Sequence, residues 1–261
     1  MSPFAIPLAL LLLVVLLLVV LNERIGLFGE ERWLFPGAKW LAYAWLALFL
    51  LGLGTLIIGS ALRPPSEREL SKVPFYSLFT LHAVLLIFLF GWWVLTAFPP
   101  LLRFLNIRRD HPGTAVMTGF TVGFGGWLFT IMMAVIIGVV LQAFGVMPKN
   151  VQTPMISWMA ALPAWKRGLI VLSAATVEEA FFRGWLQKRV GLIASTLLFA
   201  LAHSGFGQPI LLLGVAVISL VIGFTFYRTK NLIPGMIAHG VFDAIQLFVT
   251  LPLVFKMGMA G

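Results

Sequence analysis

Long apolar segments alternate with short polar connections along almost the whole chain. A helix needs about 20 mostly apolar residues to cross the hydrocarbon core of a bilayer, within a range of about 17–25. No alternation of period two typical of a transmembrane β-barrel is present. The pattern therefore predicts an all-α, polytopic transmembrane bundle of about eight helices. The predicted helices cover residues 4–21, 40–58, 73–98, 116–144, 167–187, 190–204, 209–227 and 233–255.

The first apolar segment, residues 4–21, has the length and composition that a secretory signal peptide also shows. Such a peptide has a basic stretch before its apolar region and a small-x-small cleavage site behind it. Neither feature flanks residues 4–21. We therefore expect this segment to be a retained helix.

Composition supports the membrane interpretation. Apolar residues make up 61% of the 261 and charged residues only 10%, whereas a soluble domain has about 25% charged residues. This scarcity excludes a soluble enzyme, a disordered tail and a nucleic-acid binder. The net charge of +9 is best explained by contact with lipid headgroups, so the bilayer is the expected partner. The absence of Cys excludes disulfides and thiol catalysis.

Ionisable side chains inside the predicted spans are rare and therefore informative. A charge near the centre of a membrane helix costs about 2.5–3.5 kcal/mol on insertion scales, so such a residue is a functional candidate by default. The acidic candidates are Glu178, Glu179 and Asp243. The other candidates are Arg183, His82, His203 and His239.

The segment around residue 180 holds two adjacent carboxylates and a guanidinium. Glu179 and Arg183 are four residues apart, so on a helix they share a face and can pair. Glu178 is rotated from Glu179 by about 100° and can point elsewhere. We expect Glu179 and Arg183 to neutralise each other while Glu178 faces a cavity, where a carboxylate can act as a general base.

Two later segments repeat the four-residue spacing. Phe199 and His203 share one helix face, and so do His239 and Asp243. Together with Glu178, these helices can bring carboxylates and two imidazoles into one membrane cavity. That set of groups can activate water and stabilise an oxyanion.

The three segments, Glu-Glu-x-x-x-Arg, Phe-x-x-x-His and His-x-x-x-Asp in this order, resemble the motifs of a known protease family. It is the CAAX prenyl protease and bacteriocin-processing family (CPBP, or Abi) of intramembrane endopeptidases. The resemblance covers roughly residues 167–250, about a third of the chain. It implies that residues 151–261 form the catalytic helical domain, and that residues 1–150 form transmembrane helices outside the family motifs.

The resemblance also implies a role for each motif residue. Glu178 would hold and deprotonate the attacking water with His203 as its partner, and His239 with Asp243 would bind the oxyanion. The supporting residues would be Glu179, Arg183 and Phe199.

One position departs from the eukaryotic type of the family, which carries Asn where this chain has Asp243. An ionised Asp cannot donate a hydrogen bond to an oxyanion. Two roles stay open for Asp243: donation in a protonated form, or orientation of His239 by accepting its ring proton, which we favour. These ligand types also suit zinc, but the better-studied family members work without a catalytic metal, so we expect no cofactor.

The predicted function is therefore intramembrane hydrolysis of a peptide bond near the C-terminus of a membrane-associated substrate. The resemblance implies either a prenylated protein or a small peptide as the substrate. A proton-coupled transporter is the alternative, because Glu, His and Asp within a membrane also form proton relays. We expect a multi-pass protein of a prokaryotic plasma membrane, and the sequence leaves its oligomeric state open. His82 lies outside the motifs, and a structural role is the favoured interpretation for it.

Overall fold

A computed structural model gives the arrangement of most of the chain. It describes a few residues of the first apolar segment and then three long stretches. These are Leu13, Leu16, Leu17, residues 19–22, Gly26, and residues 31–146, 153–206 and 208–258.

The described part of the chain is built from helices and contains no strand. The long helices are α1 (Ala38–Leu62), α2 (Thr80–Leu95), α3 (Pro112–Ala143), α4 (Ala164–Ser173), α5 (Lys188–Ala202), α6 (Pro209–Thr229) and α7 (Leu232–Ile245). Wider π-helical turns continue two of them, over Ala174–Glu178 and Ala180–Gln187 after α4 and over Gln246–Thr250 after α7. Shorter α-helices span Glu67–Leu70, Leu101–Phe104, Pro154–Ala161 and Leu251–Gly258, and 3-10 turns span Phe75–Phe79 and Ser204–Phe206.

The membrane-bundle prediction is confirmed, with a smaller number of described spans. Among the described residues, six segments are long and apolar enough to cross a membrane. They are Ala38–Leu62, Phe75–Leu95, Pro112–Ala143, Ala164–Phe206, Ile210–Thr229 and Leu232–Val254. The predicted helix 4–21 lies mostly outside the described residues, and the predicted helices 167–187 and 190–204 fall within one continuous segment.

That continuous segment, Ala164–Phe206, has 43 residues and contains a break. As one straight helix it would measure about 65 Å, twice the thickness of the hydrocarbon core. Gly191 interrupts it with φ of +80°, a conformation that glycine adopts without a steric penalty. The chain then packs back on itself, and the Ser195 hydroxyl donates to the Phe182 carbonyl at 3.0 Å. Two antiparallel helices result, as the sequence predicts.

An aromatic core joins the N-terminal helices to the segment after α4. The ring of Phe88 on α2 stacks on Phe49 of α1 at 4.2 Å between centroids. The same ring meets Trp185 edge-on at 4.8 Å, and Trp92 meets Trp185 at 5.1 Å. Edge-to-face aromatic pairs contribute about 0.5–1.5 kcal/mol beyond the burial of their area. This core therefore holds α2 at a fixed position against the helix that carries Glu178.

Helices α3 and α7 approach each other closely along a row of glycines. A Cβ atom added at Gly123 would lie 2.6 Å from the Ala238 carbonyl oxygen and 2.8 Å from the Val241 Cβ. Small residues permit this kind of close contact between membrane helices. Because Ala238 precedes His239, the contact sets the position of that histidine.

The contact leads to a stability prediction. Gly123→Ala should lower the free energy of unfolding by about 1–3 kcal/mol, because overpacking forces the two backbones apart. Gly125 lies two residues further along α3, and a Cβ there would meet no atom within 4 Å. Gly125→Ala is the matched control. Thermal unfolding of the two purified variants in detergent checks the prediction, and equal melting temperatures would contradict it.

Candidate active site

The π-helical turns after α4 carry the acidic pair and Arg183. Such turns replace the usual i→i+4 hydrogen bonds by i→i+5 bonds and occur often at functional sites. The sequence predicted an ordinary α-helix here, so the widened turn is a difference from the prediction. Both Glu178 and Glu179 are buried.

Glu179 is fully buried, and its Oε1 lies between nitrogen atoms of Arg183 and His239. Arg183 Nη1 is 2.9 Å from this oxygen, an ion-pair contact in which the N–H is not aligned for a hydrogen bond. His239 Nδ1 lies 2.9 Å from the same oxygen and forms a hydrogen bond with it. The pairing that the spacing predicted is thus present, and it includes α7 as well.

Arg183 is equally buried, and α6 satisfies its other nitrogen. Its Nη2 donates to the Ser219 hydroxyl at 3.0 Å and to the Ser219 carbonyl at 3.2 Å. The guanidinium also lies over the Phe199 ring, 4.6 Å from the centroid. Arg183 therefore joins the π-helical segment to α5 and α6.

His239 lies between two carboxylates. Its Nδ1 faces Glu179, and its Nε2 lies 3.4 Å from Asp243 Oδ2. An ionised carboxylate can only accept hydrogen bonds, so pairing with two ionised carboxylates requires a proton on each ring nitrogen of His239. The contact suits Asp243 as the group that orients His239, which stays a prediction.

His203 lies immediately after the last residue of α5. Its Nδ1 is 2.8 Å from the Phe199 carbonyl oxygen, and a carbonyl can only accept, so Nδ1 carries a proton. In the neutral ring Nε2 then has a free lone pair. Phe199 packs beside the imidazole with centroids 4.5 Å apart, as the motif predicted.

The two oxygens of Glu178 have different surroundings. Oε1 is 3.0 Å from His82 Nε2. Oε2 has no hydrogen-bond partner among the described residues and lies 3.9 Å from His203 Nε2. This last distance is too long for a direct hydrogen bond.

His82 is the site residue that the sequence analysis missed. The sequence favours a structural role for it away from the motifs, and the structure places it in contact with Glu178 across 96 positions of sequence. Its other ring nitrogen, Nδ1, lies 2.6 Å from the Ser173 hydroxyl. The one available signal was a lone ionisable residue within a predicted membrane span, which is rarely without a partner.

The arrangement suits the binding and activation of water. Glu178 Oε2 and His203 Nε2 are both acceptors, and they face each other 3.9 Å apart. A water molecule has two protons to donate, so it can bridge two acceptors at this separation. Among the described residues, no group of three or more His, Asp or Glu side chains has the geometry of a metal site.

Comparison with known proteins agrees with the motifs. Residues 160–245 match the family model described as type II CAAX prenyl endopeptidase Rce1-like, which confirms the predicted resemblance. The chain is also 36% identical over 77 residues to the uncharacterized protein YpbD of Bacillus subtilis. That alignment covers 29% of this chain and 41% of the relative. No solved structure matches the chain.

The buried pair gives a second stability prediction. Arg183→Leu leaves Glu179 buried without its cation, and loss of one partner of a buried pair costs about 3–5 kcal/mol of stability. The control is Arg63→Leu, because the Arg63–Glu69 pair lies at the surface with the Arg63 side chain 84% exposed. Chemical denaturation of both variants in detergent measures the change. A shift of similar size in the two variants would contradict the prediction.

Proposed function

Because residues 160–245 match the CAAX-type endopeptidase family, we propose that the chain is an intramembrane endopeptidase that works by Glu178- and His203-activated water. The family match supports a protease embedded in a membrane and a membrane-associated peptide or protein as its substrate. The mechanism and the finer identity of the substrate are the proposal.

One observation carries the proposed mechanism: the buried Glu178 Oε2 and His203 Nε2 face each other as two acceptors 3.9 Å apart. A water held between them donates one hydrogen bond to each and directs an oxygen lone pair toward a substrate carbonyl. Positioned proton acceptors of this kind contribute about 100- to 10,000-fold to a rate. Glu178 takes the proton as the water oxygen forms its bond to the carbonyl carbon.

The attack converts the carbonyl oxygen into an oxyanion, and the positive charge of a His239 ring protonated on both nitrogens is proposed to stabilise it. Asp243 accepts from the His239 ring and holds it in place, while Glu179 holds the opposite nitrogen. When the tetrahedral intermediate collapses, the C–N bond breaks and the leaving amine takes the proton from Glu178. One water is consumed, and one carboxylic acid and one amine are released.

The substrate proposed is a C-terminal segment presented at membrane depth. A prenylated Cys followed by three residues would place its lipid in the bilayer beside the site, and a small unmodified peptide is the second candidate. We propose no cofactor, because the proposed base and oxyanion group are protein side chains. Location in a prokaryotic plasma membrane stays a prediction from the sequence.

The first activity prediction concerns Glu178 and His203. Purified protein in detergent should cleave a fluorescence-quenched farnesylated peptide, and Glu178→Gln or His203→Ala should lower kcat by about 100-fold or more, because each removes an acceptor of the attacking water. Glu67→Gln makes the same chemical change at an exposed position and should leave kcat unchanged.

Two outcomes of this assay would contradict the proposal. Cleavage that persists at the original rate in both variants would contradict the proposed mechanism. Failure of the wild-type protein to cleave either the farnesylated or the unmodified peptide would remove the endopeptidase function and favour proton-coupled transport. Cleavage of the unmodified peptide alone would assign the substrate to the peptide-processing type.

The second activity prediction concerns metal. Addition of 1,10-phenanthroline, a zinc chelator, should leave the rate unchanged, since side chains alone supply the base and the cation in the proposed mechanism. Loss of activity that zinc restores and magnesium does not would contradict the proposal that the reaction needs no metal cofactor.

A further inference from the structure

His82 lies in the site although it is outside the matched segment, residues 160–245. Its helix, α2, belongs to the N-terminal part of the chain, which the family motifs do not cover. The His82 ring is buried, with 11% of its side chain exposed, and so is the Glu178 carboxylate that it contacts. A buried imidazole in contact with a buried carboxylate is costly to place unless both groups are hydrogen-bonded.

The hydrogen-bond chemistry fixes the state of the His82 ring. An ionised carboxylate can only accept, so the Nε2 that lies 3.0 Å from Glu178 Oε1 carries the proton. In the neutral ring Nδ1 is then an acceptor, and the Ser173 hydroxyl at 2.6 Å must be its donor. The result is a chain of donors that runs from Ser173 through His82 to Glu178.

These hydrogen bonds give the two oxygens of Glu178 different roles. His82 holds Oε1, and Oε2 is left without a partner among the described residues, on the side of His203. A carboxylate that is held at one oxygen cannot rotate freely, so its second oxygen keeps one direction. Fixed geometry at a reacting group is a large part of what an enzyme supplies.

Helix α2 is a rigid support for such a contact. Six residues beyond His82, Phe88 packs between Phe49 and Trp185 in the aromatic core. One turn before His82, Phe79 lies with its ring 6.0 Å from the imidazole. The aromatic core therefore anchors the helix that carries His82, and the Phe79 ring lies beside the imidazole.

We propose that His82 is a positioning residue of the active site, which, supported by Ser173, holds Glu178 Oε1 so that Oε2 faces the attacking water. The proposal rests on the proposed function, since it assigns Glu178 the role of the base. It makes helix α2, far from the motifs in sequence, a necessary part of the site.

The test compares two substitutions of His82 in the farnesylated-peptide assay. His82→Leu removes the donor to Glu178 and should lower kcat about 10- to 100-fold, a part of what a general base contributes, with KM within about twofold. His82→Gln keeps an N–H close to the position of Nε2, so its kcat should be higher than that of His82→Leu. Expressed as log kcat, at least about a third of the loss in His82→Leu should be recovered. Ser173→Ala should lower kcat about three- to tenfold, because the Nδ1 lone pair loses its donor.

His111→Gln is the control, because it makes the same substitution at an exposed residue before α3 and should leave kcat unchanged. Melting temperatures measured on the same preparations separate positioning from stability. The proposal would be overturned if both His82 variants lost kcat and melting temperature to the same extent and Gln restored no activity.

Other results also decide the question. Unchanged kcat in His82→Leu, with an active wild-type protein, would overturn the positioning role and leave the proposed function standing. An inactive wild-type protein would overturn both. Covalent labelling of Ser173 by a fluorophosphonate, with loss of activity, would identify this serine as a nucleophile with His82 as its base, and would also overturn the proposal.

Discussion

The fully buried carboxylate of Glu179 constrains the arrangement of the helices around it. A charge in the hydrocarbon region is tolerated only with partners, and Glu179 finds them in Arg183 on its own segment and in His239 on α7. Helix α7 approaches this carboxylate closely, since a Cβ at Gly235 would lie 3.2 Å from Glu179 Oε2. Arg183 in turn must reach Ser219 on α6. The contacts of Glu179 and Arg183 thus connect three helical segments, namely the π-helical segment that carries both residues, α6 and α7.

The contacts of Glu179 also position the adjacent residue, Glu178. Because neighbouring positions of a helix point in different directions, Glu179 faces α7 while Glu178 faces His82 and His203. The architectural carboxylate and the proposed base are therefore held on one rigid segment and have separate partners. This separation explains how two buried carboxylates can lie next to each other in sequence without sharing a partner.

The sequence predicts the parts of this site that depend on local geometry. The Glu179–Arg183 contact follows from four-residue spacing on a helix, and the break at Gly191 is close to the predicted division between two helices. The π-helical turn was not predictable, because no residue pattern distinguishes it from an α-helix here. The contact of His82 with Glu178 was missed because it depends on how α2 packs against the aromatic core, and a contact across 96 positions leaves no periodic signal.

The charges of the cluster also explain why imidazoles are its remaining members. Glu178, Glu179 and Asp243 supply three carboxylates, and Arg183 is the permanent cation in contact with Glu179. A second positive charge can come from a proton on His239, which lies between Glu179 and Asp243, because histidine gains and loses a proton readily near neutral pH. In the proposed reaction, a proton taken from water then stays within a network of carboxylates and imidazoles until the leaving amine accepts it. The groups that make the cluster tolerable in the bilayer are thus the same groups that can carry the proton of hydrolysis.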